Sequence, residues 1–163
     1  MGILKQYHSG AWESRARGGG TGGSGTSFDT NAYYTLSADQ AVIAGGYRKI
    51  LFDTVVFDGN TEWDAVNLYW KCKETGYYNI SISAAPSFTY TNTFRITLYL
   101  DGAAAFTGTA RTGINNFYCT STIDIPNMAI SADSYLEVYV WVTVNTNVVA
   151  DVVPTWFRVT RYK

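Results

Sequence analysis

The sequence predicts an all-β fold, an antiparallel sandwich or barrel, on three observations. Apolar and polar residues alternate at a period of two through most of the chain, β-branched and aromatic residues are abundant, and turn signals separate the runs at short intervals. The chain has 163 residues, 16% of them aromatic and only 15% charged. That is enough for one domain with a core of its own and too little for two. Lys and Arg number 12 against 13 Asp and Glu, a net charge of -1. No global field favours nucleic acid or an anionic membrane, and no apolar run is long enough to insert into one.

Composition divides the chain into an arm and a head. Ten of the fifteen glycines fall at or before Gly46, and six lie between Gly18 and Gly25. Such a stretch is a flexible linker. It separates an N-terminal arm and linker, residues 1–32, from a strand-rich head, residues 33–163. The arm carries Ile3, Leu4, Tyr7 and Trp12, with Arg15 and Arg17 among its cations and Glu13 its one acid. This mixture suits a docking peptide that orders on a partner. Its first residues lack the apolar stretch of a secretory leader, so a setting outside a cell would be reached by another route.

The elements follow in chain order. Ser37-Ala-Asp-Gln40 reads either as a capping box before a short helix ending at Gly45-Gly46, or as a strand turning there into a second strand from Tyr47 to Phe57. Val42, Ile43 and Tyr33-Tyr34 favour the strand. Leu68, Trp70 and Cys72 alternate with polar positions up to a turn at Glu74-Thr75-Gly76. Tyr78, Ile80, Ile82 and Ala84 then alternate with Asn79, Ser81 and Ser83, so the two runs read as a hairpin with a polar face. Phe94, Ile96, Leu98 and Leu100 lead into Asp101-Gly102, the strongest short turn signal of the chain. Two further strands lie around Phe117 to Ile125 and Leu136 to Val144, and a last one near Thr155 to Tyr162.

If Leu136, Val138, Val140 and Val142 face the core, Glu137, Tyr139 and Trp141 face outward. Large outward aromatics are costly for a monomer, and Tyr69, Tyr77 and Tyr99 add to the excess. An interface between protomers built on Tyr69, Tyr99, Tyr139 and Trp141 explains them. A shift of register by one residue would exchange the two faces.

Catalytic chemistry finds few residues. The only histidine, His8, is in the arm, away from any serine or cysteine of the head. No pair of carboxylates is placed by spacing for glycoside hydrolysis, and Gly18–Gly25 has no P-loop lysine. The chain is therefore expected to be no enzyme and to need no cofactor. Cys72 and Cys119 read as small buried hydrophobes that form a disulfide only if they are neighbours. The loop from Asp58 to Asp64 sets Asp58, Asn60, Glu62 and Asp64 on alternate positions, as a calcium loop does. Trp63 occupies the place such a loop gives to glycine, so the ordinary reading is a solvated polar loop.

From Tyr47 to Lys163 the sequence resembles the jelly-roll head shared by the tumour necrosis factor superfamily and the globular head of complement component 1, subcomponent q. Lys71-Cys-Lys-Glu-Thr-Gly-Tyr-Tyr-Asn-Ile-Ser-Ile82 and Arg95-Ile-Thr-Leu-Tyr-Leu-Asp-Gly102 carry the resemblance, with Ile130-Ser-Ala-Asp-Ser-Tyr-Leu-Glu-Val138 and the terminal Trp156-Phe-Arg-Val159. Ala132 stands where the family has glycine. The resemblance implies an antiparallel jelly-roll sandwich, tumour-necrosis-factor-like and extended by the N-terminal arm, that forms a homotrimer packed through aromatic faces. With its Gly-rich arm the chain is also similar to phage virion proteins that carry such heads. The expected role is a non-enzymatic component of the virion surface. Residues Ile3, Leu4, Tyr7, Trp12, Arg15 and Arg17 anchor it to other virion proteins, and the head binds a host-surface glycan or protein, with no nucleic acid and no membrane insertion. A capsid decoration protein without a host ligand and a secreted complement-like recognition module are the alternatives.

Overall fold

In the computed structural model, residues 3–8, 11–16, 31–87, 92–113, 120–150 and 154–162 are described, and every regular element among them is a β-strand. In order these are β1 (Ile3–His8), β2 (Ala11–Ala16), β3 (Asn31–Thr35), β4 (Gln40–Val42), β5 (Tyr47–Lys49), β6 (Thr54–Asp58), β7 (Trp63–Asp64), β8 (Tyr69–Lys71) and β9 (Gly76–Ala84). There follow β10 (Pro86–Ser87), β11 (Asn92–Leu100), β12 (Ala103–Thr107), β13 (Arg111–Gly113), β14 (Ser121–Ile130), β15 (Tyr135–Val142), β16 (Thr146–Val148) and β17 (Trp156–Tyr162).

Two sheets form the head. One has five strands in the order β14-β9-β17-β3-β6; the other has seven, β12-β11-β15-β8-β7 with β13 on β11 and β5 on β15. Strands β10, β16 and β4 make a small third sheet. Alternation along the strands fills the space between the two large sheets. Tyr34, Ile80, Ile82, Phe157 and Val159 come from the first, and Trp70, Phe94, Ile96, Leu98, Leu136, Val138 and Val140 from the second, all in one buried cluster. Burying each such side chain stabilises the fold by about 1.5–3 kcal/mol. The expected register of β15 holds, with Leu136, Val138, Val140 and Val142 buried and Glu137, Tyr139 and Trp141 half-buried on the outer side.

The turn at Asp101-Gly102 is as expected. It joins β11 to β12 with φ of 51° and 78°, both positive, the two-residue turn whose twist matches a hairpin. The Tyr135 amide donates to Asp101 Oδ1 at 2.9 Å and ties the turn to β15.

Two expected connections differ. The turn at Glu74–Gly76 does not close a hairpin: β8 pairs with β7 and β15, whereas β9 pairs with β14 and β17. Here the chain crosses from one sheet to the other. The Cys72 amide bonds the Ser134 carbonyl and the Asp133 amide the Cys72 carbonyl, both at 2.8 Å. Arg161 lies under Gly76, where a Cβ would sit 2.7 Å from its Nε. Likewise Tyr47 to Phe57 is not one strand returning from β4. Strand β4 pairs with β16, β5 with β15 and β6 with β3. Between β5 and β6 the chain changes sheets, burying Ile50 and Phe52 in the core. Ser37 caps no helix; its amide and hydroxyl donate to the Asp53 carboxylate at 2.7 and 2.5 Å.

The segment expected as an extended arm contains a hairpin. β1 pairs antiparallel with β2, setting Tyr7 opposite Trp12, Leu4 opposite Arg15 and Ile3 opposite Ala16. Arg17 and Cys119 lie outside the described residues, so the Cys72–Cys119 pairing does too. Cys72 is buried, its sulfur 3.1 Å from the Glu74 carbonyl and 3.3 Å from the Tyr78 hydroxyl. The strand expected from Phe117 to Ile125 is β14, which runs from Ser121 to Ile130 with a bulge between Ile125 and Met128, and Phe117 lies outside the described residues.

Candidate functional site

The outer face of the five-stranded sheet is built by the side chains that alternate with the core. Buried Phe157 and Val159 leave Trp156, Arg158 and Thr160 outward; buried Tyr34 leaves Asn31 and Tyr33 outward. Cross-strand register then sets Phe57, Tyr33, Arg158, Ser81 and Asp124 in one row across all five strands. The Ser81 hydroxyl donates to Asp124 Oδ1 at 2.6 Å at the far end of that row. Tyr33 lies 5.8 Å from Phe57 and 6.1 Å from Trp156, ring centre to ring centre. Together with Asn31 and Arg158 these three rings line an open groove of about 450 Å³. On edge strand β6 Phe57 is 40% exposed, whereas exposed Val55 is opposite inward-facing Tyr34 and exposed Tyr77 on β9 is opposite Tyr162, farther along the sheet. An aromatic groove open to water has a partner surface as its usual explanation.

Tyr69, Tyr99, Tyr139 and Trp141, expected from sequence as interface residues, come together on the outer face of the other sheet. Their surroundings differ. Tyr99 packs on Tyr139 at 4.3 Å, Tyr69 stacks on Tyr135 at 4.9 Å, and the Arg95 guanidinium lies over Trp141 at 5.9 Å. Lys49 Nζ sits 2.7 Å from Glu137 and over the Tyr69 ring. All four expected residues are half-buried within the protomer. The sequence search missed Tyr33, Phe57 and Trp156, although the outward alternation in Trp156–Tyr162 was a signal for the last of them.

The acidic loop holds its carboxylates inward on its own backbone. Asp58 Oδ2 accepts the amides of Glu62 and Trp63 at 2.7 and 2.8 Å, and Asp64 accepts the amides of Val66 and Asn67. Asn67, through its side chain first and its amide second, holds Asp64 below the usual carboxylate range. Lys73 Nζ donates to the Asn60 carbonyl at 2.6 Å. Among the described residues no three His, Cys, Asp or Glu side chains are grouped so as to hold a metal ion. Glu62 is the exception to the loop's solvated character, being only 2% exposed. Burial pushes its carboxyl up to about 7, against the hydrogen bond from the Trp70 indole that favours the charged form.

No family model matches this sequence, and no curated protein is similar to it in sequence. Solved structures are similar in fold. The Eiger tumour necrosis factor of S. frugiperda superposes with a TM-score of 0.60 over 82% of this chain and 92% of that one, at 9% identity. The globular domain of the zebrafish complement 1qA protein gives 0.50 over 82% and 95%, at 11% identity. The head is a tumour-necrosis-factor-like jelly roll. Within this jelly roll the core accounts for the alternation that the sequence displays, while the likeness at 9–11% identity concerns the backbone arrangement and leaves the outer faces to be read from their own residues.

Proposed function

We propose that the chain is a non-enzymatic binding protein whose jelly-roll head assembles as a homotrimer through the outer face of the five-stranded sheet. One observation carries this reading: Tyr33, Phe57 and Trp156, from three strands, line an open groove of about 450 Å³ on that face, with exposed Phe57 on its edge strand. Aromatic anchors in a central pocket with a polar rim are the composition of a protein interface. Arg158 and Asp124 give that face both signs of charge, which suits contact with another copy of itself. The row expected from sequence, Tyr69, Tyr99, Tyr139 and Trp141, is then on the outside of the assembly.

The finer setting is a virion surface, where the N-terminal segment joins the head to the particle and the head meets the host surface. It rests on the Gly-rich stretch from Gly18 to Gly25 and on the apolar and cationic residues before it. Tyr7 and Trp12, opposite one another in the β1–β2 hairpin, are the strongest anchor candidates. Replacing both with alanine is expected to abolish incorporation into particles while the head stays folded. The check is to complement particles lacking the protein and count copies on each. Normal occupancy would assign the attachment to the head, and copies confined to capsid symmetry positions would favour the decoration role.

A further inference from the structure

On the outer face of the seven-stranded sheet, the outward positions of β5, β8, β11 and β15 carry aromatic and polar side chains and not one aliphatic side chain. Register sets Arg95, Trp141 and Tyr47 side by side in one row, and Thr97, Tyr139 and Lys49 in the next. Tyr99 lies opposite Glu137 in the row after that, and Tyr135 with its stacked partner Tyr69 extends the face toward β8. Three rows across three strands cover about 14 Å by about 10 Å, roughly the footprint of two or three pyranose rings. The aromatic side chains hold one another in place: Tyr99 lies on Tyr139 and meets Tyr47 edge-on at 6.4 Å. Rings fixed in this way lose little side-chain freedom when a ligand is laid on them.

The charges of this face do not cancel. Lys49 is matched by Glu137 and Lys71 by Asp133, at 2.7 and 2.9 Å. Arg95 is half-buried with its guanidinium over Trp141, and among the described residues it has neither a carboxylate partner nor a hydrogen-bond acceptor. A planar fork of N–H donors fixed on an aromatic ring is the geometry that receives a carboxylate through two parallel hydrogen bonds. We propose that this face is a binding platform for an acidic saccharide, with the ligand's carboxylate on Arg95 and its pyranose rings over Tyr47, Tyr99 and Tyr139. The proposal rests on the trimer reading, in which the five-stranded sheet is covered by other copies and this sheet looks outward.

The chemistry of the face selects a saccharide over a protein partner. A protein interface gathers apolar groups into a dry core with a polar rim. Here each ring brings a hydroxyl or an indole N–H of its own, and threonine hydroxyls continue the face, Thr97 toward Thr107 at 3.4 Å and Thr93 toward Thr112 at 3.1 Å. Apolar and polar groups are therefore interleaved at the spacing of single side chains. A pyranose has the converse surface, C–H patches on its ring faces framed by hydroxyls, which meets an aromatic ring with a polar edge at that same spacing. A trimer presents three such faces, and engaging several of them at once on a glycan-covered surface raises avidity by about 10²–10⁴-fold over a single site.

The experiment applies the intact chain to an array bearing sialate- and uronate-terminated oligosaccharides, the same oligosaccharides with the carboxylate masked as its methyl ester, and glutamate-rich peptides. The expected result is binding to the acidic saccharides, weaker to the esters by on the order of tenfold. Arg95→Gln should remove that difference, and Tyr47→Ala, at a side chain 40% exposed, should weaken acid and ester alike. The loss of one stacking ring is roughly threefold. Circular dichroism establishes that each variant is folded, and the comparison of acid with ester on the unaltered chain decides the matter without them. No binding to any acidic saccharide, equal binding to acid and ester, or binding to the glutamate peptides alone would overturn the proposal. Light scattering on the same sample keeps the two readings apart. A monomer that binds the acidic saccharides contradicts the trimer and upholds the platform; a trimer that binds none does the reverse.

Discussion

Trp156→Glu is expected to turn the proposed trimer into monomers, while Trp141→Glu leaves the assembly intact. Trp156 is half-buried beside Tyr33 at 6.1 Å and lines the open groove. The groove is the surface that a second copy would cover, and a carboxylate placed there would be desolvated in the assembly. Hot-spot tryptophans typically contribute about 2–4 kcal/mol to association, and an unpaired buried charge adds a penalty of similar size. Either amount moves a micromolar trimer to monomers, since about 1.4 kcal/mol is tenfold in a dissociation constant. Trp141 lies under the Arg95 guanidinium on the other sheet, where glutamate would still reach water and a cation. Sedimentation of both variants, with circular dichroism to establish that each is folded, separates the outcomes. Dissociation by Trp141→Glu alone would move the interface to the row of Tyr69, Tyr99 and Tyr139.

The second large effect is on stability. Trp70 is wholly buried, meets Tyr78 edge-on at 5.2 Å, and donates its indole N–H to Glu62. Trp70→Ala removes the ring, leaves a cavity and strips the indole donor from a buried carboxyl. Large-to-alanine changes in a core cost about 3–5 kcal/mol, and the stranded acceptor adds about 1–3 kcal/mol. Against a total of about 5–15 kcal/mol for a domain, that is most of the margin. Thermal melting at pH 5.5, where Glu62 keeps its proton, should fall by about 10–15 °C or lose its cooperative transition. Trp70→Phe keeps part of the volume and should fall by less than half as much. Equal losses for the two would mean that packing at this site is unimportant.

Which parts of this were legible in the sequence follows from what a period of two encodes. It encodes which residues are inside a sheet, so the alternation from Leu136 to Val142 and from Phe94 to Leu100 gave both the strands and their buried faces. It does not encode which strand lies beside which. The runs at Leu68–Lys73 and Tyr78–Ala84 are both strands, yet in a two-sheet sandwich a turn can carry the chain across the core as readily as it can close a hairpin. The same limit hid the crossing at Ile50 and Phe52, where a run that reads as one strand serves two sheets.

The outward aromatics show a second limit. Alternation places Tyr139 and Trp141 on an outer face, but only the neighbouring strands reveal that Tyr99, Tyr135, Lys49 and Arg95 occupy the space around them. Tyr33, Phe57 and Trp156 come from three strands far apart in sequence, and nothing local to any of them marks a shared groove. Glu62 was visible only as one oxygen donor among four; its burial depends on Trp70 folding back over the loop.

Light scattering on the intact chain at micromolar concentration gives the assembly state without assuming any interface. The expected particle mass is three times the 18.0 kDa of one chain, unchanged on tenfold dilution. A particle of 18.0 kDa across that range would contradict the trimeric binding head.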